Sequence, residues 1–171
     1  NIRDGLNQFL RPNPISLLDA VKVDKDFHAR FSAKKRIYEY KIINRRSPLT
    51  VDKNRAWNVF KNLDYKKMEF ESKFFIGKND LESFRSVDCQ SKLSIKTIND
   101  IKFKKNNNNL SIIIKAKSFL HSQVRIMVGT LVDIGKGRLT KSIKQIIEEK
   151  NRSYAGVTAP ACGLYLQKVE Y

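Results

Sequence analysis

Leu120, Val124, Met127, Val128 and Leu131 follow the spacing i, i+4, i+7, i+8, i+11. Only an α-helix brings residues at those intervals onto one side, and a stripe so consistently apolar must be buried. Gly135 closes the run. Such a helix needs a second layer to pack against, so the rest of the chain must supply one.

The segments around it read as that layer. IYEYKII (37–43) alternates, with Tyr38, Tyr40 and Ile42 on one face and Glu39 and Lys41 on the other. Residues 95–104 and 110–116 read as two strands joined by the polar turn NNNN at 106–109, which makes a hairpin. GLYLQKVEY at the C-terminus reads as a last strand, and LLDAVKVD (17–24) as an early one, after the breaks at Pro12 and Pro14. Asp64 is placed to cap a helix running to about Ile76, with Gly77 ending it, and a further helix is expected over about 142–149. Helices and hairpin strands interleave without βαβ alternation. That predicts an α+β fold with a mainly antiparallel sheet and helices packed on it, a single domain over residues 1–171.

Charge then narrows the partner. Lys and Arg number 34 against 17 Asp and Glu, a formal net charge of +17. A surplus that large points to a polyanion, nucleic acid first, although heavy use of Lys, Ile and Asn throughout would raise the charge without any partner. With 41% hydrophobic residues the chain can build a core, which excludes a disordered basic tail. Two distant cysteines, Cys89 and Cys162, with no CxxC and two histidines, give no zinc signature and no disulfide framework. A reducing, cytoplasmic setting is the expectation. No apolar run has the length of a membrane span.

Four places could carry chemistry. FHARFSAKKRIYEYKI (27–42) interleaves Arg30, Lys34, Lys35 and Arg36 with Phe27, Phe31, Tyr38 and Tyr40. Either this is a basic flank beside a core strand, or it grips an anion and stacks a flat ring. Arg125, in HSQVRIMVG, borders the apolar stripe. It either snorkels to water or demands a partner, ordinarily a carboxylate, because an unpaired buried charge is costly. Gly129, one turn on, costs about 1 kcal/mol relative to Ala within a helix, which suggests that another backbone approaches closely. FRSVDCQSK (84–92) is a polar loop suited to phosphates and sugars, or simply a solvated one. Neither histidine neighbours Cys89 in sequence and nothing there argues for a lowered pKa, so it is not expected to act as a nucleophile.

Taken in order, FHARFSAKKRIYEYKI, GKNDLESFRSVDCQSK, AKSFLHSQVRIMVGTLVDIGKG and TAPACGLYLQKVEY resemble successive motifs of the tRNA pseudouridine synthase A family. The resemblance covers essentially all 171 residues. It implies the pseudouridine synthase fold, no cofactor and no metal, a homodimer, and tRNA as partner, with uridines 38 to 40 of the anticodon stem-loop as targets. Residue by residue, Tyr38 matches the tyrosine that stacks on the target uracil. Leu164 and Leu166 match positions lining the uracil pocket. Phe27, His28, Ala29, Arg30 and Phe31 match an RNA-contacting segment, as do Asp88, Cys89, Gln90, Ser91 and Lys92. Lys92 stands where arginine is frequent, and it binds phosphate without the bidentate fork. Arg125 matches the arginine that pairs with the catalytic aspartate.

That aspartate lies, in the family, within a GRTDAGVHA-like motif upstream of the FHARF segment, and the present sequence begins after it. Arg3-Asp4-Gly5 offers an aspartate in superficially similar company, but its neighbours match a later, LN-rich family segment, so Asp4 is not assigned as catalytic. The expectation is therefore a C-terminal portion of the enzyme, inactive alone, with its nucleophile encoded upstream. The alternative is an RNA-binding module without catalysis.

Overall fold

Gln123–Gly135, the segment with the apolar stripe, is a helix and is buried on nearly every side. The computed structural model describes residues 2–171, which group into two compact units divided between Ser32 and Ala33.

In the larger unit the chain order is β1 (Lys35–Asn44), β2 (Trp57–Val59), α2 (Tyr65–Ser72), β3 (Gly77–Asp80), β4 (Ile95–Asn106), β5 (Asn109–Ala116), α3 (Gln123–Gly135), α4 (Ile143–Glu149) and β6 (Leu164–Glu170). The sheet runs β2-β1-β5-β4-β3, and β6 pairs with β1. All pairings are antiparallel except β1 with β2. The mixed, mainly antiparallel α+β expectation is thus met. β1 is central: β5 lies along one edge, while β6 and then β2 share the other.

The β4–β5 turn is tight because Asn106 pairs with Asn109, and Asn107 takes a positive φ of 51°, which asparagine tolerates better than most residues. One face of β1 and β5 carries Tyr40, Ile42, Leu110, Ile112 and Ile114, and these join Val124, Met127, Val128 and Leu131 of α3 in one core. Asp64 caps α2 by accepting from the Lys67 N–H at 3.0 Å. A 3₁₀ turn, Lys73–Phe75, then carries the chain to Gly77, whose φ of +100° ends the helical run as predicted. Ser142 and Gln145 form a reciprocal capping box on α4. Gly135 is the last residue of α3, but the positive φ comes two residues later, at Gly137.

The smaller unit begins with α1 (Ile2–Leu10). Both side-chain amide atoms of Asn7 bond the backbone of Leu17, at 2.9 and 2.7 Å. The strand expected over 17–24 does not form: this stretch is irregular. Leu18 falls on one face of the would-be strand and Val21 and Val23 on the other, and all three are exposed. A run apolar on both faces is stable as a strand only between two covering layers, and here it has neither.

Candidate active site

The site is assembled where β1, β6, the N-terminal part of α3 and the loop 155–160 meet. On β1, Tyr38 lies opposite Leu166 of β6 and Ile114 of β5, and Tyr40 lies opposite Leu164 and Ile112. A register shift between Ile37 and Tyr38 interrupts the pairing with β6 just where these tyrosines begin. The two rings have different fates. Tyr40 is fully buried, and Gly163 leaves room for it, since a Cβ there would stand 2.7 Å from its ring carbons. Tyr38 is only partly buried, with Phe119 packed edge-on at 5.3 Å. Leu164 beside it is half-buried and Leu166 is 54% exposed. Tyr38, Phe119 and Leu166 thus make an apolar rim open to solvent, suited to a flat ring.

Arg125 projects from the first turn of α3. Its Nε donates to the carbonyl of Ala159 at 2.7 Å, and its own backbone carbonyl accepts from the Ala159 N–H at 3.1 Å. Among the described residues no carboxylate lies within ion-pairing distance of its guanidinium. The sequence demanded a partner, and a backbone carbonyl supplies it for one nitrogen. The terminal nitrogens keep donors to spare.

The loop that offers this carbonyl is held by several bonds. Gly156 N–H donates to Thr130 Oγ1 at 3.0 Å and Val157 N–H to Asp133 Oδ2 at 3.1 Å. Arg152 spans the loop from the other side, donating to the carbonyls of Ala155 and Gly156 and to Thr158 Oγ1. Gly129 makes the approach possible, because a Cβ there would lie 1.7 Å from the Val157 carbonyl oxygen. The close backbone contact inferred from a glycine inside a helix is therefore present. Tyr40 adds a last tie: its hydroxyl donates to the Pro160 carbonyl at 2.6 Å. Burial, first, and then Cys162 push the Tyr40 pKa well up, while Arg125 pulls the other way.

The polar loop 84–92 docks against the residues that lead into α3. Cys89 Sγ accepts from the His121 N–H at 3.4 Å, Ser86 N–H donates to the His121 carbonyl, and Arg85 bonds the Cys89 carbonyl at 3.1 Å. Asp88, Gln90 and Lys92 are exposed, Ser91 is partly so, and Cys89 is buried as the anchor. Burial would raise the Cys89 pKa, yet bonds from His121, Ser91 and Arg85 together leave it lowered. This corrects the expectation of an unshifted thiol, because these groups meet Cys89 only in the folded chain. Phe27, His28, Ala29, Arg30 and Phe31 form a turn in the smaller unit. There His28 Nδ1 accepts from the Arg30 N–H at 3.1 Å, and the imidazole packs on Phe31 at 4.4 Å. Asp4 lies in the first turn of α1, in an exposed ion pair with Arg3 at 3.0 Å.

The structure therefore sets Tyr38 beside Leu166 and Phe119, sets Tyr40 beside Leu164, and links Tyr40 through Pro160 to the neighbouring Ala159 that receives Arg125. The Asp88–Lys92 loop docks through Cys89 on His121, two residues after Phe119. Phe119, Ala159 and Arg152 complete the site and were not singled out for it by sequence, and Tyr40, named there beside Tyr38, proves to be the core aromatic of the pair. Ala159 lies in a loop without periodicity and Arg152 in the short 3₁₀ turn before it, and the one trace of their position was Gly129. Two cavities of about 300 and 310 Å³, on other parts of the sheet, contain none of the candidate residues. Among the described residues there is no cluster of three His, Cys, Asp or Glu able to hold a metal ion, and no helix long and apolar enough to cross a membrane.

Comparison with known proteins bears on this arrangement. Residues 72–171 match a family model described as tRNA pseudouridine synthase. Over 99% of its length the chain is 53% identical to tRNA pseudouridine synthase A of Ehrlichia chaffeensis, 52% to that of Ehrlichia canis and 50% to that of Wolbachia pipientis wMel. In each case it covers 70% of the relative.

Proposed function

The chain belongs to the tRNA pseudouridine synthase A family, and from that premise we propose that it forms the uracil-binding side of an enzyme converting uridine to pseudouridine in tRNA. The targets are uridines 38 to 40 of the anticodon stem-loop. The reaction breaks the bond between N1 of uracil and the ribose, turns the base and rejoins it through C5. The base must first leave its stack, at a cost of a few kcal/mol. Stacking on a half-exposed tyrosine returns about 1–3 kcal/mol, a role for Tyr38 that its partly open ring beside Phe119 and Leu166 supports.

The observation that carries this reading is Arg125. Its Nε is committed to Ala159, and its remaining nitrogens face no carboxylate among the described residues. A catalytic aspartate, acting as nucleophile or base, would be fixed by those nitrogens and kept ionised, since a nearby cation lowers a carboxylate pKa. Asp88–Lys92 and Phe27–Phe31 serve as grips on the flanking RNA, phosphate contacts that position rather than specify. The reading extends to a cytoplasmic homodimer, in keeping with the family resemblance; the free thiols of Cys89 and Cys162 suit a reducing compartment.

Arg125→Met in the complete gene product tests it. Turnover on tRNA should fall by at least roughly 100-fold while tRNA affinity is nearly unchanged, because the partner of Arg125 is the carboxylate and not the RNA. Activity retained within a few-fold would reduce Arg125 to a helix-border residue and overturn the assignment.

A further inference from the structure

Resting on that reading of Arg125, we propose that Tyr40 is a positioning residue for it. Its hydroxyl clamps the loop whose carbonyl aims the guanidinium. Tyr40 is fully buried and cannot touch a nucleotide, so any role it has in the reaction is indirect. Its hydroxyl donates to the Pro160 carbonyl at 2.6 Å, and the peptide immediately before carries the Ala159 carbonyl that receives Arg125 Nε at 2.7 Å. Successive carbonyls of one loop are thus fixed by β1 on one side and α3 on the other. The ring has no freedom to let the hydroxyl drift. Gly163 presses on Cε1 and Cζ, where even a Cβ would come within 2.7 Å, and the Trp57 ring meets Tyr40 edge-on at 6.3 Å.

The alternative origin of this bond is plain satisfaction of a buried hydroxyl. What favours the clamp is where the acceptor lies. Pro160 is exposed, and its carbonyl adjoins the one atom that positions Arg125. A buried hydroxyl from the central strand reaches into a surface loop whose other hydrogen bonds, among the described residues, run to α3 and to Arg152. The raised Tyr40 pKa keeps the phenol protonated, so the bond persists across the whole range in which a carboxylate could act.

Tyr40→Phe removes the hydroxyl and keeps the ring. In proton–nitrogen spectra of residues 1–171, the Arg125 Nε–H should be protected from exchange in the parent chain and lose that protection in the variant. In the complete gene product, kcat should fall by roughly 10- to 100-fold with KM within about twofold. Pro160→Ala keeps the acceptor and the fold while freeing its backbone. It should lower kcat less, again without moving KM, and it carries the test if Tyr40→Phe does not fold. Unchanged protection and unchanged kcat overturn the proposal, as does a kcat loss matched by a rise in KM, which would indicate a collapsed pocket. A parent enzyme that makes no pseudouridine overturns the functional reading instead, and the exchange measurement on Arg125 still reads the clamp.

Discussion

Gly129→Ala sets two physical effects of opposite sign against each other. Helix propensity alone favours alanine by about 1 kcal/mol. The structure places the added Cβ 1.7 Å from the Val157 carbonyl oxygen and 3.2 Å from the Ala159 nitrogen. To restore ordinary contact at 3.4 Å the loop must retreat by about 1.7 Å, and what it meets is backbone, which cannot rotate aside. A retreat of that size breaks the bonds from Gly156 to Thr130, from Val157 to Asp133 and from Ala159 to Arg125. Each is worth about 1 kcal/mol, and more where a buried group is left unsatisfied. Three such losses less the gain in propensity leave a net destabilisation of about 2–4 kcal/mol. For a chain of this size that is a drop of roughly 5–15 °C in Tm. Thermal unfolding of residues 1–171, followed by circular dichroism, measures it. Gly135→Ala is the internal comparison: its Cβ would meet Met68 Sδ and Cγ at 2.6 and 2.8 Å, atoms of a flexible side chain rather than backbone, so it should cost less. A Gly129→Ala protein as stable as its parent, or more stable, would refute the close approach of loop and helix and with it the support for Arg125.

Two further outcomes are expected. With a formal charge of +17 and six or more phosphates contacted, the affinity of the chain for tRNA should fall by roughly 10³-fold or more between 50 and 200 mM salt; filter binding across that range checks it, and a flat response would remove the electrostatic part of the reading. Residues 1–171 alone should release no tritium from uridine-labelled tRNA above a no-protein control, whereas release would make Asp4, paired with Arg3 on α1, the first aspartate to mutate.

The parts of the fold that were legible in the sequence are those where one local rule acts without competition. The cap at Asp64, the asparagine turn and the buried helix through Val124, Met127, Val128 and Leu131 each fix their own neighbourhood and came out as read. Leu120, the expected start of that stripe, is buried but precedes the helix, which begins at Gln123 after Ser122 takes a positive φ of 57°. Residues 17–24 failed because β-propensity needs a partner strand and a covering layer, and neither is encoded in the segment itself. β3 escaped notice for the converse reason: GKND has no apolar alternation, and only its pairing with β4 makes it a strand.

The site divides in the same way. Tyr38 and Tyr40 are indistinguishable in the pattern YEY, yet one is half-open and the other sealed. The difference arises across the sheet. Gly163 and Leu164 close over Tyr40, whereas Leu166 leaves Tyr38 at the rim. Arg125 shows how far a local argument reaches. Its place on the border of a buried stripe required a partner, and that requirement was met, but by a carbonyl 34 residues further along the chain. No periodicity in residues 155–160 announces that loop. What announced it was a glycine where alanine would have made the better helix, a local sacrifice that makes sense only once a second backbone has come to within touching distance.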